Sequence, residues 1–358
     1  MNQIDLKDYG LTEGLVRESE KYKSLNIGRV ISQAKDLYRV ITDAGELTAE
    51  ISGKFRYQVG ALSDYPAVGD FVMVDRTDNS NGNGVIHQVL SRKSCFVRKT
   101  AGTATDVQIV AANIDQVFIC MALNNDFNLR RLERYLAIAW DSGATPVIVL
   151  TKADLCEEIE ARLNEVSTLA MGVTVLVATS MDADGYLAVK KQISKGQTVA
   201  FIGSSGVGKS TLINRLLGKE RLATNGLRND DKGRHTTTRR ELIGLPEGGA
   251  VIDTPGMREL GIISADFSKS FADIEELAER CRFRDCTHGS EPGCAVQKAI
   301  NDGGLDPERL ASFRKLSKEA KYDGLNSRQI EQEKINEMFG GKGELKNVRK
   351  FLKEKHRR

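Results

Sequence analysis

The sequence predicts a multi-domain chain with an N-terminal β-barrel of the OB type, a central α/β core, and a mostly helical C-terminal region held by a metal knot. Three observations predict it. Short apolar runs broken by turn residues fill residues 26–98. Apolar runs alternating with helical stretches fill residues 99–265, and one of them leads into the glycine-rich segment Gly203-Ser204-Ser205-Gly206-Val207-Gly208-Lys209-Ser210. Three cysteines and a histidine crowd into residues 281–294. The division expected is an N-terminal extension over 1–25, the barrel over 26–98, the core over 99–265, and the C-terminal region over 266–358.

The barrel is read from five strand-like pieces: NIGRVISQ, LYRVITDAG, LTAEISGKF, DFVMVDRT and GVIHQVL. Asp43-Ala44-Gly45, Pro66 with Gly69-Asp70, and Asn79-Ser80-Asn81-Gly82-Asn83-Gly84 break them. Five short strands in roughly 70 residues suit a small closed barrel, and an SH3-like barrel leaves a similar trace. Residues 1–25 are polar and receive no element. In the core, apolar strands are read at 116–123, 146–150, 173–177, 198–202 and 250–252. Residues 129–140 have helical period, with Leu132, Tyr135, Leu136 and Ala139 on one face. Buried strands alternating with helices mean a mostly parallel sheet covered on both faces. Beyond residue 265 the readable elements are helices, at 271–280, 306–321 and 327–338.

With 358 residues, 40% hydrophobic and 28% charged, the chain has ample material for a core. No apolar run reaches the ~18 residues of a membrane span, and the first residues lack the pattern of a signal peptide, so no membrane and a cytoplasmic location are expected. The net charge of +3 says little, but residues 342–358 carry eight Lys/Arg against two Glu. That tail, with Arg29, Lys35, Arg39, Lys54, Arg56, Arg92 and Lys93 of the barrel, predicts contact with RNA.

The segment from Gly203 to Ser210 is G-x-x-x-x-G-K-[ST], and Thr211 continues it into a helix. Glycines let the backbone curl so that its N–H groups face phosphates, and the helix N-terminus adds positive potential. Lys209 is expected on the β- and γ-phosphates and Ser210 on Mg²⁺. A phosphate loop alone does not choose a base. The strand at 146–150 leads into Thr151-Lys152-Ala153-Asp154, a [NT]-K-x-D sequence at a carboxyl strand end, where open sheets bind ligands. A carboxylate there accepts hydrogen bonds from guanine N1–H and the 2-amino group, neither of which adenine offers. Thr151 stands where Asn is more frequent. Ala178-Thr179-Ser180 follows another strand and is expected to back the base, with Thr179 and Ser180 as contacts. Asp253-Thr254-Pro255-Gly256 is D-x-x-G: Asp253 suits the Mg²⁺ shell and the Gly256 N–H the γ-phosphate. In Gly233-Arg234-His235-Thr236-Thr237-Thr238, Thr237 is the favoured switch threonine for Mg²⁺. Met257 takes the place after D-x-x-G where many GTPases carry a water-orienting Gln. A slow intrinsic rate follows, and His235 is the internal candidate for orienting water or acting as base.

These motifs run in rotated order, with the base-reading TKAD ahead of the phosphate loop. In that order they resemble the circularly permuted GTPases of the RsgA (YjeQ/EngC) family, and the resemblance covers nearly the whole chain after residue 25. It implies an RNA-binding OB barrel, a zinc domain, and GTP hydrolysis stimulated by the small (30S) ribosomal subunit and its rRNA late in maturation, with GTP and GDP as ligands. A monomer is expected. The cluster also stands without the family: Cys281, Cys286, His288 and Cys294 form C-x₄-C-x-H-x₅-C, the Cys₃His set of a closed structural Zn²⁺ site. The competing readings are a permuted GTPase acting on another RNA or RNA–protein partner, and an RNA-binding zinc/OB protein with a vestigial nucleotide site. Intact Lys209, Ser210, Asp253 and Asp154 speak against the second.

Overall fold

The computed structural model describes residues 4–80, 82–99, 107–179, 182, 184–222, 240–253, 267–321, 329, 332 and 333. The first of them belong to the fold. A 3-10 turn, Leu6–Tyr9, is capped by Asp5, whose carboxylate accepts from Lys7 N at 2.9 Å, and it buries Leu6. Helix α1 (Glu13–Ser19) is capped by Thr12. Leu11, Leu15, Tyr22 and Leu25 pack against Phe71, Met73 and Leu90 of the barrel wall.

The barrel is built from β1 (Asn26–Ala34), β2 (Leu37–Thr42), β3 (Gly45–Ile51), β4 (Phe71–Val74) and β5 (Gly84–Val89), with α2 (Gly53–Gln58) after β3. Pairing runs β1-β2-β3-β5-β4 and closes from β4 back to β1. β3 and β5 are parallel and the other pairs antiparallel. This closed Greek-key order is that of the OB type. Alternate side chains point inward, and Val30, Tyr38, Val40, Leu47, Ala49, Val72, Val74 and Ile86 fill the interior with Phe55 of α2.

A two-stranded antiparallel pair, β6 (Cys95–Lys99) and β7 (Val107–Ala112), joins barrel to core. The core then runs β8 (Gln116–Ala122), α3 (Leu129–Asp141), β9 (Thr145–Thr151), α4 (Ile159–Leu169), β10 (Thr174–Val177), α5 (Leu187–Gln192), β11 (Thr198–Gly203), α6 (Lys209–Leu217), β12 (Glu241–Gly244) and β13 (Ala250–Asp253). Its strand order is β10-β9-β8-β11-β13-β12, all parallel except β12. The five strands read in the sequence are present, and β12 is a sixth. The two faces of the sheet separate by strand alternation. Phe118, Val147, Val149, Val199 and Phe201 pack against Leu212, Ile213 and Leu216 of α6. Ile119, Met121, Ile148, Leu150 and Ile202 pack against Leu132, Tyr135, Leu136 and Ala139, the predicted face of α3.

The C-terminal helices α7 (Ala272–Ala278), α8 (Ala295–Asn301) and α9 (Pro307–Lys321) add Phe271, Ile274, Val296, Leu310 and Leu316 to that second core. Their seam with α3 is ionic as well as apolar. Buried Glu133 accepts from Arg130 at 2.6 Å and from Arg309 at 2.9 Å, and Arg309 also pairs with Asp273 at 2.6 Å. Arg134 of α3 pairs with Glu319 at 2.5 Å. The barrel and core are sewn together by Arg29, which is wholly buried. Its guanidinium donates to Gly69 O at 3.0 Å, Thr198 Oγ1 at 2.8 Å, Asn113 O at 3.2 Å and Tyr9 O. Burial lowers its pKa to about 10, against the opposing pull of Asp115 and Asp70, so it stays charged at neutral pH. Gly69, at φ +96°, allows the approach: a Cβ there would lie 2.1 Å from Ala112 O.

Candidate nucleotide site and metal centre

The carboxyl ends of β8, β9, β11 and β13 lie side by side, so the residues that follow them share one rim of the sheet. β11 ends in Gly203 at φ +147°, where a Cβ would meet Cys120 O at 2.4 Å. The loop then turns through Ser204, exposed Ser205, and Gly206 and Gly208 at φ +74° and +105°. Buried Val207 anchors it in the core. Gly208 precedes α6 with no side-chain cap, which leaves the first N–H groups of the helix for a ligand. Lys209 Nζ donates to Gly203 O at 2.8 Å and Ser204 O at 2.7 Å, which holds the ammonium within the curl. Ser210 and Thr211 follow in the first turn of α6, both half-buried.

Thr151 ends β9 and is buried. Its hydroxyl donates to Val207 O at 2.6 Å, tying the base-reading segment to the phosphate loop. Lys152 sits at φ +56°, turning the chain out of the strand into the 3-10 turn Ala153–Leu155. Asp154, on that turn, accepts from Thr179 Oγ1 at 2.6 Å. Thr179 follows β10 beside buried Ala178, whose N–H donates to Leu150 O at 2.8 Å. The structure thus gathers Thr151, Lys152, Ala153, Asp154, Thr179 and residues 203–211 on one rim. Asp253 joins them at the end of β13, in parallel register with β11. Burial raises its carboxyl pKa, with Lys209 opposing. Among the described residues no side-chain hydrogen bond to it is seen, and a half-buried carboxylate at this rim fits a cation. Ser180, His235, Thr237 and Gly256 lie outside the described residues.

One rim residue escaped the sequence reading. Asp126 follows β8, accepts from Ser204 Oγ of the phosphate loop, and pairs with Arg131 of α3 at 2.7 Å. The Ser204 hydroxyl and then Arg131 hold its carboxyl below the usual range. Asn124-Asn125-Asp126 directly after an apolar strand was the available signal, being a polar turn at a carboxyl strand end.

Of the barrel cations expected on RNA, Arg29 and Arg92 are engaged within the fold instead, while Arg39, Lys93 and Arg56 are exposed but paired with acids. Arg29 is the buried stitch described above. Arg92 pairs with buried Asp70 at 2.7 Å and donates to Ser63 O and Tyr65 O. Arg39 pairs with Glu46 and with Glu241, and Lys93 with Asp115. Lys35 and Lys54 are exposed as well.

Cys281, Cys286, His288 and Cys294 bring one ligand atom each to within 4.8 Å of one another. Cys281 Sγ lies 3.8 Å from Cys294 Sγ, far beyond the ~2.05 Å of a disulfide. With metal–sulfur bonds of about 2.3 Å, a tetrahedral site separates its sulfurs by about 3.8 Å. The His288 Nδ1 distances, 3.6 Å to Cys281 Sγ and 3.7 Å to Cys294 Sγ, fit the same geometry. His288 adopts φ +60° and its carbonyl accepts from Gln297 and Arg314, so the ring is held from behind. Cys294 also caps α8. Four protein donors would leave no open position on a metal held there.

The rotated motifs, the parallel sheet and the cysteine knot together define a circularly permuted GTPase. The chain belongs to the RsgA GTPase family. A family profile described as RsgA GTPase matches residues 89–263. A second, described as ABC transporter, matches residues 187–341, a stretch that contains the same phosphate loop but not the TKAD segment. The chain is 51% identical to the small ribosomal subunit biogenesis GTPase RsgA 2 of Lactiplantibacillus plantarum, covering 97% of this chain and 98% of that protein. It is 44% identical to the RsgA 2 of Listeria monocytogenes, over 89% of this chain and 90% of that one. The crystal structure of YjeQ from Thermotoga maritima superposes with a TM-score of 0.60 at 26% identity, over 83% of this chain and 99% of that one. YloQ, described as a circularly permuted GTPase, shares the fold with a TM-score of 0.60 at 24% identity, over 83% of this chain and 95% of that one.

Proposed function

We propose that this chain binds the small ribosomal subunit and its rRNA, hydrolyses GTP during late maturation of that subunit, and uses nucleotide state to time binding and release. The near-full-length likeness to a small ribosomal subunit biogenesis GTPase carries the reading. Asp154, oriented by Thr179, reads guanine, with Lys152, Ala153 and Ser180 around the base. Thr151 locks that reader to the phosphate loop. Residues 203–211 cradle the phosphates, with Lys209 on the β- and γ-groups and the Gly256 N–H on the γ-group. Ser210, Asp253 and Thr237 would hold Mg²⁺, which neutralises phosphate charge. The Cys₃His knot would hold one structural Zn²⁺. Met257 cannot orient water, so intrinsic turnover is slow and the subunit accelerates it, with His235 as the internal helper. The same reading keeps the division 1–25, 26–98, 99–265 and 266–358, a cytoplasmic location and a monomer; no described helix is long and apolar enough to cross a membrane.

The test is GTP turnover with and without purified small subunits. The expected result is slow basal hydrolysis accelerated by small subunits and not by large ones. Equal rates in all three conditions would remove the ribosomal assignment and leave the GTPase standing.

A further inference from the structure

We propose that the loop between Cys281 and Cys286 is a stacking tip for RNA: Phe283 receives one unpaired base, and Arg280, Arg282 and Arg284 hold the neighbouring phosphates. The proposal rests on the RNA part of the function proposed above and names its contact in the metal-bearing region.

Phe283 is 41% exposed and is the one phenylalanine among the exposed large apolar residues described. It belongs to none of the hydrophobic clusters of the described residues. Its neighbours form the pattern Arg280-Cys281-Arg282-Phe283-Arg284, and all three arginines are exposed. None has a carboxylate partner among the described residues. That sets them apart from Arg92, Arg134 and Arg309, each paired with an acid. The Arg282 guanidinium lies 5.5 Å from the centre of the Phe283 ring, so an aromatic face and a cation are presented together.

The tip is also held at both ends. Cys281 and Cys286, two of the four residues that could hold a metal, bound it. Arg282 N donates to Gly293 O at 3.2 Å, and Cys286 N donates to Phe283 O at 3.3 Å. A pre-ordered ring loses little freedom on binding. Every base has a face that stacks on an aromatic ring, and arginine forks match phosphate oxygens. An A-form duplex hides its base faces, so the fitting partner is single-stranded or looped RNA.

The test uses the full, metal-loaded chain with two probes: a single-stranded RNA 12-mer and purified small subunits. Metal content and basal GTP turnover are measured on every variant and should stay at the wild-type level. Phe283→Ala should weaken binding to both probes about tenfold, and Phe283→Tyr should bind as the wild type does. Arg282→Gln with Arg284→Gln should flatten the salt dependence of 12-mer binding, by roughly 0.7 in the log–log slope per lost phosphate contact, while Phe283→Ala leaves that slope unchanged. Phe283→Ala binding both probes as tightly as the wild type would overturn the proposal. So would a loss confined to the subunit, which would mark a protein contact, and so would failure of the wild type to bind the 12-mer. Phe283-dependent 12-mer binding without subunit-stimulated turnover would uphold the tip while removing the ribosomal assignment.

Discussion

At the scale of single residues, Thr151 shows how a substitution in a motif can keep its mechanical duty. A shorter side chain than Asn still reaches Val207 O, at 2.6 Å, because β9 brings it beside the phosphate loop. Thr151→Val keeps the shape and removes the donor. It should cost about 1–3 kcal/mol and weaken GDP and GTP alike, since the link lies below the base and not at the γ-phosphate. Parallel titrations with the two nucleotides check this. Asp253 makes a prediction of opposite sign for stability. Its carboxyl pKa is raised in the folded chain, so native protein holds the proton to higher pH than unfolded protein does, and stability falls as pH rises through the native value. Asp253→Asn should therefore raise the melting temperature of nucleotide-free protein at pH 7, with the gain shrinking as pH falls towards the ordinary carboxylate range. The same change should abolish Mg²⁺-dependent turnover. Melting curves across pH, set beside activity, test the pair. The residues that could be singled out in sequence are those whose chemistry is local: Lys209, Asp154 and the Cys/His cluster each sit in a spaced motif. Asp126 and Arg29 were missed or misassigned because their partners lie far away in the chain, and a positive charge in a sequence does not announce whether it meets solvent or a carbonyl.

At the scale of elements, strongly patterned segments were legible and weakly patterned ones were not. The predicted face of α3 is buried because Leu132, Tyr135, Leu136 and Ala139 recur at helical spacing. β12 places only Leu242 and Ile243 between Glu241 and Gly244, a weak pattern, and β6 and β7 form a two-stranded sheet of their own with one bridge from Ala111 to Val68. The 3-10 turn and α1 depend on caps by Asp5 and Thr12 and on packing against the barrel, which local sequence does not display. Across α3, the pairing of Glu133 with Arg130 and Arg309 binds the C-terminal helices to the core. Arg309→Ala would leave Glu133 buried with one partner and should destabilise the chain by about 3 kcal/mol. Adding Glu133→Gln should recover part of the loss. Denaturant unfolding of the two variants measures both effects, and an unchanged midpoint for Arg309→Ala would contradict the role given to this seam.

At the scale of the whole molecule, the barrel and the core are joined through the interior. Arg29 reaches the N-terminal segment, the barrel, the turn between β7 and β8 and the start of β11 at once. Arg29→Ala should cost roughly 3 kcal/mol or more and split one unfolding transition into two, followed by circular dichroism and by nucleotide release. It should leave RNA affinity nearly unchanged where native structure persists, unlike loss of exposed Lys54 or Arg56.

The single register contact between β1 and β12, Ser32 opposite Glu241, has a further consequence. Among the described residues β12 is the outermost strand of the nucleotide-binding sheet, and β1 meets its outer edge at that one pair. A fragment cut to begin after the barrel would present that side as a row of unpaired amides and carbonyls, ready to recruit another copy of itself. Self-association of such a fragment, read by light scattering against the full chain, is the expected outcome of removing the barrel.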